Sequence, residues 1–312
     1  MKNKCLYCYK PLDGTADFHE KCSLDFFGTP NPPKILYTID QMAELAKEVI
    51  ERRVTVPGVQ PKLSMTLLTD AQEQPDNRLT VVGALGGQFI LKPPSHNFPE
   101  LPANEHLTMR IAEAYDINVV PSSLIRLASG ELAYITKRID RTETGEKIHM
   151  QDMFQITEAF DKYRSSMEKV GKALGTYSSN PLLDKIFYFE LVLFSFLTGN
   201  NDMHLKNFSM RESSMGWILA PAYDLLNVTI VLPEDKEELA LTLEGKKKKL
   251  KKVHFETLGK SLGLTPKQIK GVFKRMFENK PKAMEWIDQS FLSNDMKTAY
   301  KDVLEIRYKT LA

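Results

Sequence analysis

Cysteine is almost absent from this chain, because the sequence has three cysteines and none follows Cys22. Thiol chemistry and metal–thiolate ligands are therefore confined to the first 22 residues. Long apolar runs are also missing. The most hydrophobic one, residues 186–197, has about a dozen residues, where a bilayer crossing needs roughly 20. Charged residues interrupt its neighbourhood, so the run predicts a buried helix and no membrane partner.

The chain also has no large excess of either charge, since 42 basic and 40 acidic residues leave a formal net charge of +2. This balance excludes the strong global field that marks many nucleic-acid and membrane-surface binders. No basic-then-apolar signal segment opens the sequence, and we therefore expect a cytoplasmic protein. With 312 residues, 42% of them hydrophobic, the chain has the composition and length of a globular protein with room for two lobes.

The three cysteines form a pattern with one histidine: Cys5 and Cys8 are one close pair, and His19 and Cys22 are the other. Two such pairs around a turn-rich spacer can close a tetrahedral Zn²⁺ site with three thiolates and one imidazole, so we predict a structural zinc knuckle over residues 1–30. The alternative is three reduced, buried thiols and a surface histidine in a disordered tail. A Pro- and Gly-rich linker at residues 28–33 marks the end of this segment.

The strongest chemical signal is the spacing of Asp202, Asn207 and Asp224. A protein-kinase catalytic loop has an Asp, four intervening residues and an Asn, and a metal-binding Asp follows later. Residues 208–210 and 217–220 predict a hairpin that returns Asp224 to the side of Asn207. Asp202 would accept the proton of a substrate hydroxyl, while Asn207 and Asp224 would hold Mg²⁺. The alternative is a surface loop rich in Asn and Asp, which explains neither the spacing nor the second Asp.

These segments resemble the HipA family of bacterial toxin Ser/Thr kinases, and in particular its short HipT-like members. The resemblance runs from about residue 45 to the C-terminus. The residues that carry it are 56–64, 162–169, 199–208 and 221–227.

The resemblance implies an α+β, two-lobed protein-kinase-like fold with a β-rich lobe over residues 31–140, a helical lobe over residues 141–312, and ATP and Mg²⁺ as cofactors. Thr55 stands where the family has an autophosphorylated serine. A glycine loop and a strand-end lysine are candidates to contact the nucleotide phosphates. A hinge residue is the candidate to contact adenine. A histidine of the predicted catalytic loop is the candidate to contact a phosphate or to hold the loop. The candidate nucleotide-binding residues are Gly58, Gln60, Lys62, Lys92, Ile139, His204, Asn207 and Asp224.

The same resemblance implies a toxin that phosphorylates a Ser or Thr of a host protein, with an aminoacyl-tRNA synthetase as the expected substrate. Longer HipA proteins carry an extra amino-terminal subdomain of about a hundred residues, which the knuckle replaces here. We therefore expect restraint by separate HipS-like and HipB-like antitoxin proteins, and contact with DNA only through that antitoxin complex. The alternatives are a pseudokinase and a zinc-knuckle nucleic-acid-binding regulator.

Several elements follow from hydrophobic periodicity. Helices are predicted at 40–50, 102–115, 182–198, 265–280 and 295–309. Strands are predicted at 79–82, 88–92, 118–122, 123–127 and 131–138. A lysine-rich run at residues 246–252 indicates a solvated face, or a surface for DNA or an acidic substrate.

Overall fold

A computed structural model describes residues 3–51, 62–68, 77–82, 86–142 and 144–312. The chain forms two compact units, each built from several segments. The first unit comprises Met1–His106, Val120–Glu146 and Gln289–Phe291, and the second comprises Leu107–Val119, Lys147–Asp288 and Leu292–Ala312. The lobe limits predicted at residues 30 and 140 stay predictions.

The first unit contains a mixed sheet with the strand order β1-β3-β2-β4-β6-β5. All neighbouring pairs are antiparallel except β1 with β3. Its strands are β1 (Lys34–Ile35), β2 (Leu63–Leu68), β3 (Arg78–Val81), β4 (Phe89–Lys92), β5 (Ser122–Arg126) and β6 (Leu132–Lys137). Its helices are α1 (Glu20–Phe27) and α2 (Ile39–Glu51), and the helix α3 (Leu101–Ala114) begins in this unit.

Apolar side chains on alternate positions explain why β2 lies in this sheet with one face covered. Leu63 and Met65 are buried, whereas Ser64 between them is only partly so. Helix α1 covers the sheet through two aromatic rings, Phe26 and Phe27, whose centroids lie 5.8 Å and 6.0 Å from the ring of Phe89 in β4. The N-terminal segment is thus part of the core of the first unit.

The second unit is mostly helical and holds a small antiparallel sheet in the order β7-β8-β9. Its strands are β7 (Met150–Asp152), β8 (Ser209–Ser213) and β9 (Gly216–Leu219). Its further helices are α4 (Met153–Ile156), α5 (Met167–Tyr177), α6 (Pro181–Leu197), α7 (Lys252–Ser261), α8 (Pro266–Glu278), α9 (Lys280–Gln289) and α10 (Asn294–Leu311).

Helix α6 is the central element of the second unit. It begins with Pro181, whose fixed φ and missing N–H suit the first helical turn. From Tyr188 to Leu197 every residue is buried, so this half of the helix is enclosed on all sides, as expected of a helix inside a core. It ends at Leu197, and Gly199 then adopts a φ of +68°, which turns the chain into the loop that carries Asp202.

No helix in the described part of the chain is long and apolar enough to cross a membrane.

One predicted strand is wrong. Residues 118–121 form no strand, and only an isolated bridge joins Val119 to Ala222. Pro121 has no N–H to donate to a sheet ladder, and the carbonyl of Asn118 accepts instead from the amide of Ala222 at 2.8 Å. The other predicted helices and strands correspond to α2, α3, α6, α8, α10 and β3–β6, with ends that differ by a few residues.

Candidate active site

The loop after α6 carries Asp202 and is organised by the side chain of Asn200, which is fully buried. The Oδ1 atom of Asn200 accepts from the amide of Asp202, and its Nδ2 atom donates to the carbonyl of Asp224, each at 3.4 Å. Asn207 donates from Nδ2 to the carbonyl of Asp202 at 3.0 Å. One carboxamide therefore ties Asp202 to Asp224, and a second ties Asn207 to Asp202, although Asp224 is seventeen residues beyond Asn207 in the sequence.

Strands β8 and β9 form the hairpin that was predicted between Asn207 and Asp224. After β9 the chain returns to the catalytic loop, where the hydroxyl of Tyr223 donates to the carbonyl of Lys206 at 2.9 Å. Asp224 itself adopts a φ of +56°, in the left-handed region that most side chains avoid. Its conformation is held by tertiary contacts, as is common at functional sites.

His204 lies in the same loop and is 6% exposed. Burial lowers the pKa of His204 more than the nearby charges of Asp202 and Asp224 raise it, so the ring is neutral near pH 7. Among the residues that the structure describes, its buried Nδ1 atom has no hydrogen-bond partner. The ring packs edge-on against Tyr163, with centroids 5.1 Å apart. This geometry leaves both predicted roles of His204, phosphate contact and loop support, open.

Tyr163 lies in the segment 162–169 that carries the family resemblance, but no role at the site was predicted for it. Its hydroxyl donates to Oδ1 of Asp202 at 2.8 Å, and the carbonyl of Lys162 accepts from the amide of Leu205 at 3.1 Å. Burial, followed by the charge of Asp202, raises the pKa of Tyr163, which keeps this hydroxyl protonated as a donor. The partners are 39 residues apart in sequence, so no local spacing announces the contact.

We expect Tyr163→Phe to lower kcat for phosphoryl transfer by about 10-fold, because the Asp202 carboxylate loses a charge-assisted hydrogen bond that fixes its rotamer. The KM for ATP should stay the same, since the hydroxyl contacts the acid and not the candidate metal ligands. Steady-state kinetics at saturating protein substrate measure both constants. Tyr177→Phe is the matched control, because Tyr177 is 56% exposed. An unchanged kcat in Tyr163→Phe would contradict this positioning role.

The first unit contains a buried ion pair at the end of β4. The ammonium of Lys92 and the carboxylate of Glu105, in the first turns of α3, are 2.5 Å apart, and their side chains are 6% and 1% exposed. Lys92 Nζ also lies 5.3 Å from the centre of the Tyr134 ring. A lysine held in this way at a strand end matches the protein-kinase lysine that contacts nucleotide phosphates.

The other predicted nucleotide-binding residues of the first unit are less defined. Lys62 is exposed and directly precedes β2, whereas Thr55, Gly58 and Gln60 lie outside the described residues. Ile139 follows β6 at the predicted hinge and is partly buried.

Two arginines fix the residues around Ile139. Arg138 and Arg141 both pair with Asp140, at 2.6 Å and 2.7 Å. Burial alone would raise the pKa of Asp140, but its hydrogen bond from Arg138 lowers it, so the carboxylate stays charged. The backbone that was predicted to contact adenine is therefore held by a compact cluster of charged side chains.

The four predicted zinc ligands also come together. One donor atom from each of Cys5, Cys8, His19 and Cys22 lies within 4.8 Å of the others. None of the three cysteines is in a disulfide. The predicted grouping is therefore a property of the fold, and the arrangement differs from a disordered tail.

The lysine-rich run forms a loop that ends at α7, and several of its charges have partners. Lys247 pairs with Glu237 at 3.3 Å, and the ammonium of Lys252 lies 5.6 Å from the centre of the Phe273 ring. Lys248, Lys249 and Lys251 are exposed. A solvated face with partial local neutralisation describes this run better than a continuous basic patch.

Comparison with known proteins gives the family. A family model described as the HipA-like C-terminal domain matches residues 54–284, which is most of the chain. The chain belongs to the HipA-like C-terminal domain family. A Haemophilus influenzae protein named "Putative kinase" is 28% identical over 193 residues, covering 57% of this chain and 54% of the relative. The serine/threonine-protein kinase toxin HipA of Shewanella oneidensis is 27% identical over 214 residues, covering 62% and 47%.

The solved structure of Shewanella oneidensis HipA with HipB and its operator DNA superposes with a TM-score of 0.68, at 24% identity, covering 85% of this chain and 70% of that one. At this identity the match shows the fold, which is the α+β fold of the HipA kinases, as predicted. The chain spans about half the length of the curated relatives it matches. The chain therefore shares sequence similarity with proteins named as kinases, and it shares the HipA fold.

Proposed function

We propose that this protein is an ATP-dependent Ser/Thr protein kinase in which Asp202 is the catalytic acid–base residue. The observation that carries the proposal is the bridging of Asp202 and Asp224 by the buried Asn200 side chain. These hydrogen bonds run to backbone atoms of Asp202 and Asp224, and a third joins Asn207 to the carbonyl of Asp202, so they bring together the segments that carry two carboxylates and a carboxamide. A surface loop rich in Asn and Asp would not require these segments to meet, whereas phosphoryl transfer does.

Asn207 and Asp224 are the residues that would hold Mg²⁺, because carboxylate and carboxamide oxygens are the hard ligands that this ion prefers. Magnesium bound there would supply positive charge to the triphosphate oxygens. Asp202 accepts the proton of the substrate hydroxyl while the oxygen of that hydroxyl bonds to the γ-phosphorus of ATP. At the same time the bond between the γ-phosphorus and the oxygen that leaves with ADP breaks. Tyr163 holds the receiving carboxylate in place.

The nucleotide contacts proposed for the first unit centre on Lys92, which pairs with Glu105 at the end of β4. Lys62 and the residues around Gly58 and Gln60 are proposed to cover the phosphates, and Thr55 to be the position of regulatory autophosphorylation. The backbone at Ile139 is proposed to contact adenine. The neutral ring of His204, whose buried Nδ1 has no partner among the described residues, is suited to donate a hydrogen bond to a phosphate oxygen.

We further propose that the kinase is the toxin of a toxin–antitoxin system. The support is the name of the Shewanella oneidensis relative, a serine/threonine-protein kinase toxin, and the complex of HipA with HipB and operator DNA among the structural neighbours. By analogy we propose an aminoacyl-tRNA synthetase as substrate and HipS-like and HipB-like proteins as the restraining partners. The chain would reach DNA only through them and would act in the cytoplasm.

The proposal is tested by incubating wild type and Asp202→Gln with [γ-³²P]ATP, Mg²⁺ and a lysate of the host. We expect label in protein with the wild type and loss of at least about 100-fold of it with the variant, because glutamine cannot accept the hydroxyl proton. Asp295→Asn, at an exposed carboxylate in the first turn of α10, is the control and should label normally. Equal label in wild type and Asp202→Gln would contradict the role of Asp202. Bound nucleotide without label would indicate a pseudokinase, and failure to bind nucleotide would favour the nucleic-acid-binding alternative.

A further inference from the structure

The Cys/His cluster near the N-terminus has the dimensions of a metal site. Nδ1 of His19 lies 3.4 Å from Sγ of Cys8 and 3.8 Å from Sγ of Cys22, and Cys5 completes the group within 4.8 Å. Zinc bonds of about 2.0–2.3 Å in a tetrahedron place neighbouring donor atoms about 3.5–3.8 Å apart. A disulfide would instead bring two sulfurs to about 2.05 Å, which none of these cysteines shows.

His19 is oriented as a ligand and not as a surface side chain. Its Nε2 atom is 3.1 Å from the carbonyl oxygen of Pro11, an acceptor only, so Nε2 carries the proton. The lone pair is consequently on Nδ1, the atom that faces the two sulfurs. A backbone acceptor behind the non-ligating nitrogen is the arrangement that fixes the tautomer of zinc-binding histidines.

The backbone of the first ligand pair is shaped in the same way. Tyr9 has a φ of +62°, its amide donates to the carbonyl of Cys5 at 3.0 Å, and the amide of Cys5 donates to the carbonyl of Lys10 at 2.9 Å. This tight turn folds the chain back on itself directly after Cys8, so that both sulfurs of the pair are presented to one point. A non-glycine residue in that conformation needs contacts that hold it there.

Tyr9 leads from the cluster to helix α3. Its side chain is 1% exposed, its hydroxyl is 2.9 Å from Nδ1 of His106, and the two rings pack edge to face with centroids 5.3 Å apart. His106 directly follows Glu105, the partner of Lys92. The carbonyl of Leu6, also inside the knuckle, accepts from the amide of Leu124 in β5 at 3.4 Å. The knuckle thus contacts both the helix and the sheet that carry the ion pair.

We propose that Cys5, Cys8, His19 and Cys22 bind one structural Zn²⁺ ion, and that this ion keeps Tyr9 packed against His106 and so stabilises the start of α3. Three thiolates and an imidazole are soft ligands that suit zinc and leave no open position for a substrate. The ion is therefore a folding element of the first unit and takes no part in phosphoryl transfer.

The first test is elemental analysis of the full chain purified without a polyhistidine tag. We expect about one zinc per chain in wild type, none in Cys8→Ser, and an unchanged content in Lys10→Ser, because the side chain of Lys10 is exposed although its backbone is part of the knuckle. The proposal would be overturned if the wild type contained no zinc. This holds whether a mass measurement under non-reducing conditions finds free thiols or a disulfide. Stoichiometric iron would overturn it as well.

The second test follows hydrogen exchange in wild type before and after a zinc chelator, which keeps the result independent of any variant that fails to fold. Zinc removal should speed exchange of amides in the knuckle and in the first two turns of α3, and leave those of α8 unchanged; zinc added back should restore them. Tyr9→Phe should retain zinc yet show faster exchange at the start of α3. Faster exchange confined to the knuckle would overturn the link to α3. Neither test measures phosphoryl transfer, so failure here is distinguishable from failure of the proposed kinase reaction.

Discussion

Asp224→Asn should reduce phosphoryl transfer on the order of 100-fold or more, because a proposed metal ligand loses its charge while its shape is kept. Asparagine is the substitution that isolates this effect. The backbone of Asp224 has a φ of +56°, and Asn tolerates the left-handed region as well as Asp does. The carbonyl that accepts from Asn200 is also unaffected, so the loop should remain assembled.

Asp224→Asn should weaken ATP binding mainly when Mg²⁺ is present. Isothermal titration with ATP should show a large difference between wild type and variant in Mg²⁺ and a small one in EDTA. Asp302→Asn is the control, since Asp302 is an exposed carboxylate of α10 in the same unit. A variant with the wild-type Mg²⁺ dependence would remove Asp224 from the metal site.

Glu105→Ala should destabilise the protein by about 3–5 kcal/mol, because it leaves the buried ammonium of Lys92 without its carboxylate. The side chains of Lys92 and Glu105 are 6% and 1% exposed, so water does not screen the loss. Urea unfolding followed by circular dichroism measures the change. Glu146→Ala, at an exposed position of the same unit, should change the unfolding free energy by no more than about 0.5 kcal/mol.

A double variant separates stability from function at this ion pair. Lys92→Met combined with Glu105→Leu replaces two charges by apolar groups of similar length and should recover most of the stability lost in Glu105→Ala. It should nevertheless bind ATP poorly, because the proposed phosphate contact is gone. Recovery of both stability and ATP affinity would show that the pair is structural only.

The arrangement of the candidate active site was largely accessible from the sequence because its parts are local. The separation of Asp202 from Asn207 is a loop length, and the return of Asp224 needs one hairpin with a recognisable turn. Cys5, Cys8, His19 and Cys22 are equally local, since two short spacings and one turn bring them together.

Contacts between residues far apart in the sequence could not be predicted in the same way. Tyr163 contacts Asp202 across 39 residues, and Tyr9 contacts His106 across 97, and no spacing in the sequence relates the two partners of either contact. The wrong strand at residues 118–121 has a similar origin. Its β-branched residues favour an extended chain, but Pro121 and the distant partner Ala222 decide that only one bridge forms.

The turn at Gly199 links the catalytic loop to the last helix of the chain. A Cβ atom there would lie 2.8 Å from Oδ1 of Asn227 and 2.9 Å from Cγ1 of Val303 in α10, besides straining a backbone with a φ of +68°. Alanine at this position would therefore push outward on α10 as well as on the loop before Asp202. A smaller residue at position 303 would remove part of this steric conflict, so second-site changes that compensate for a damaged loop should be sought just over a hundred residues downstream, in α10.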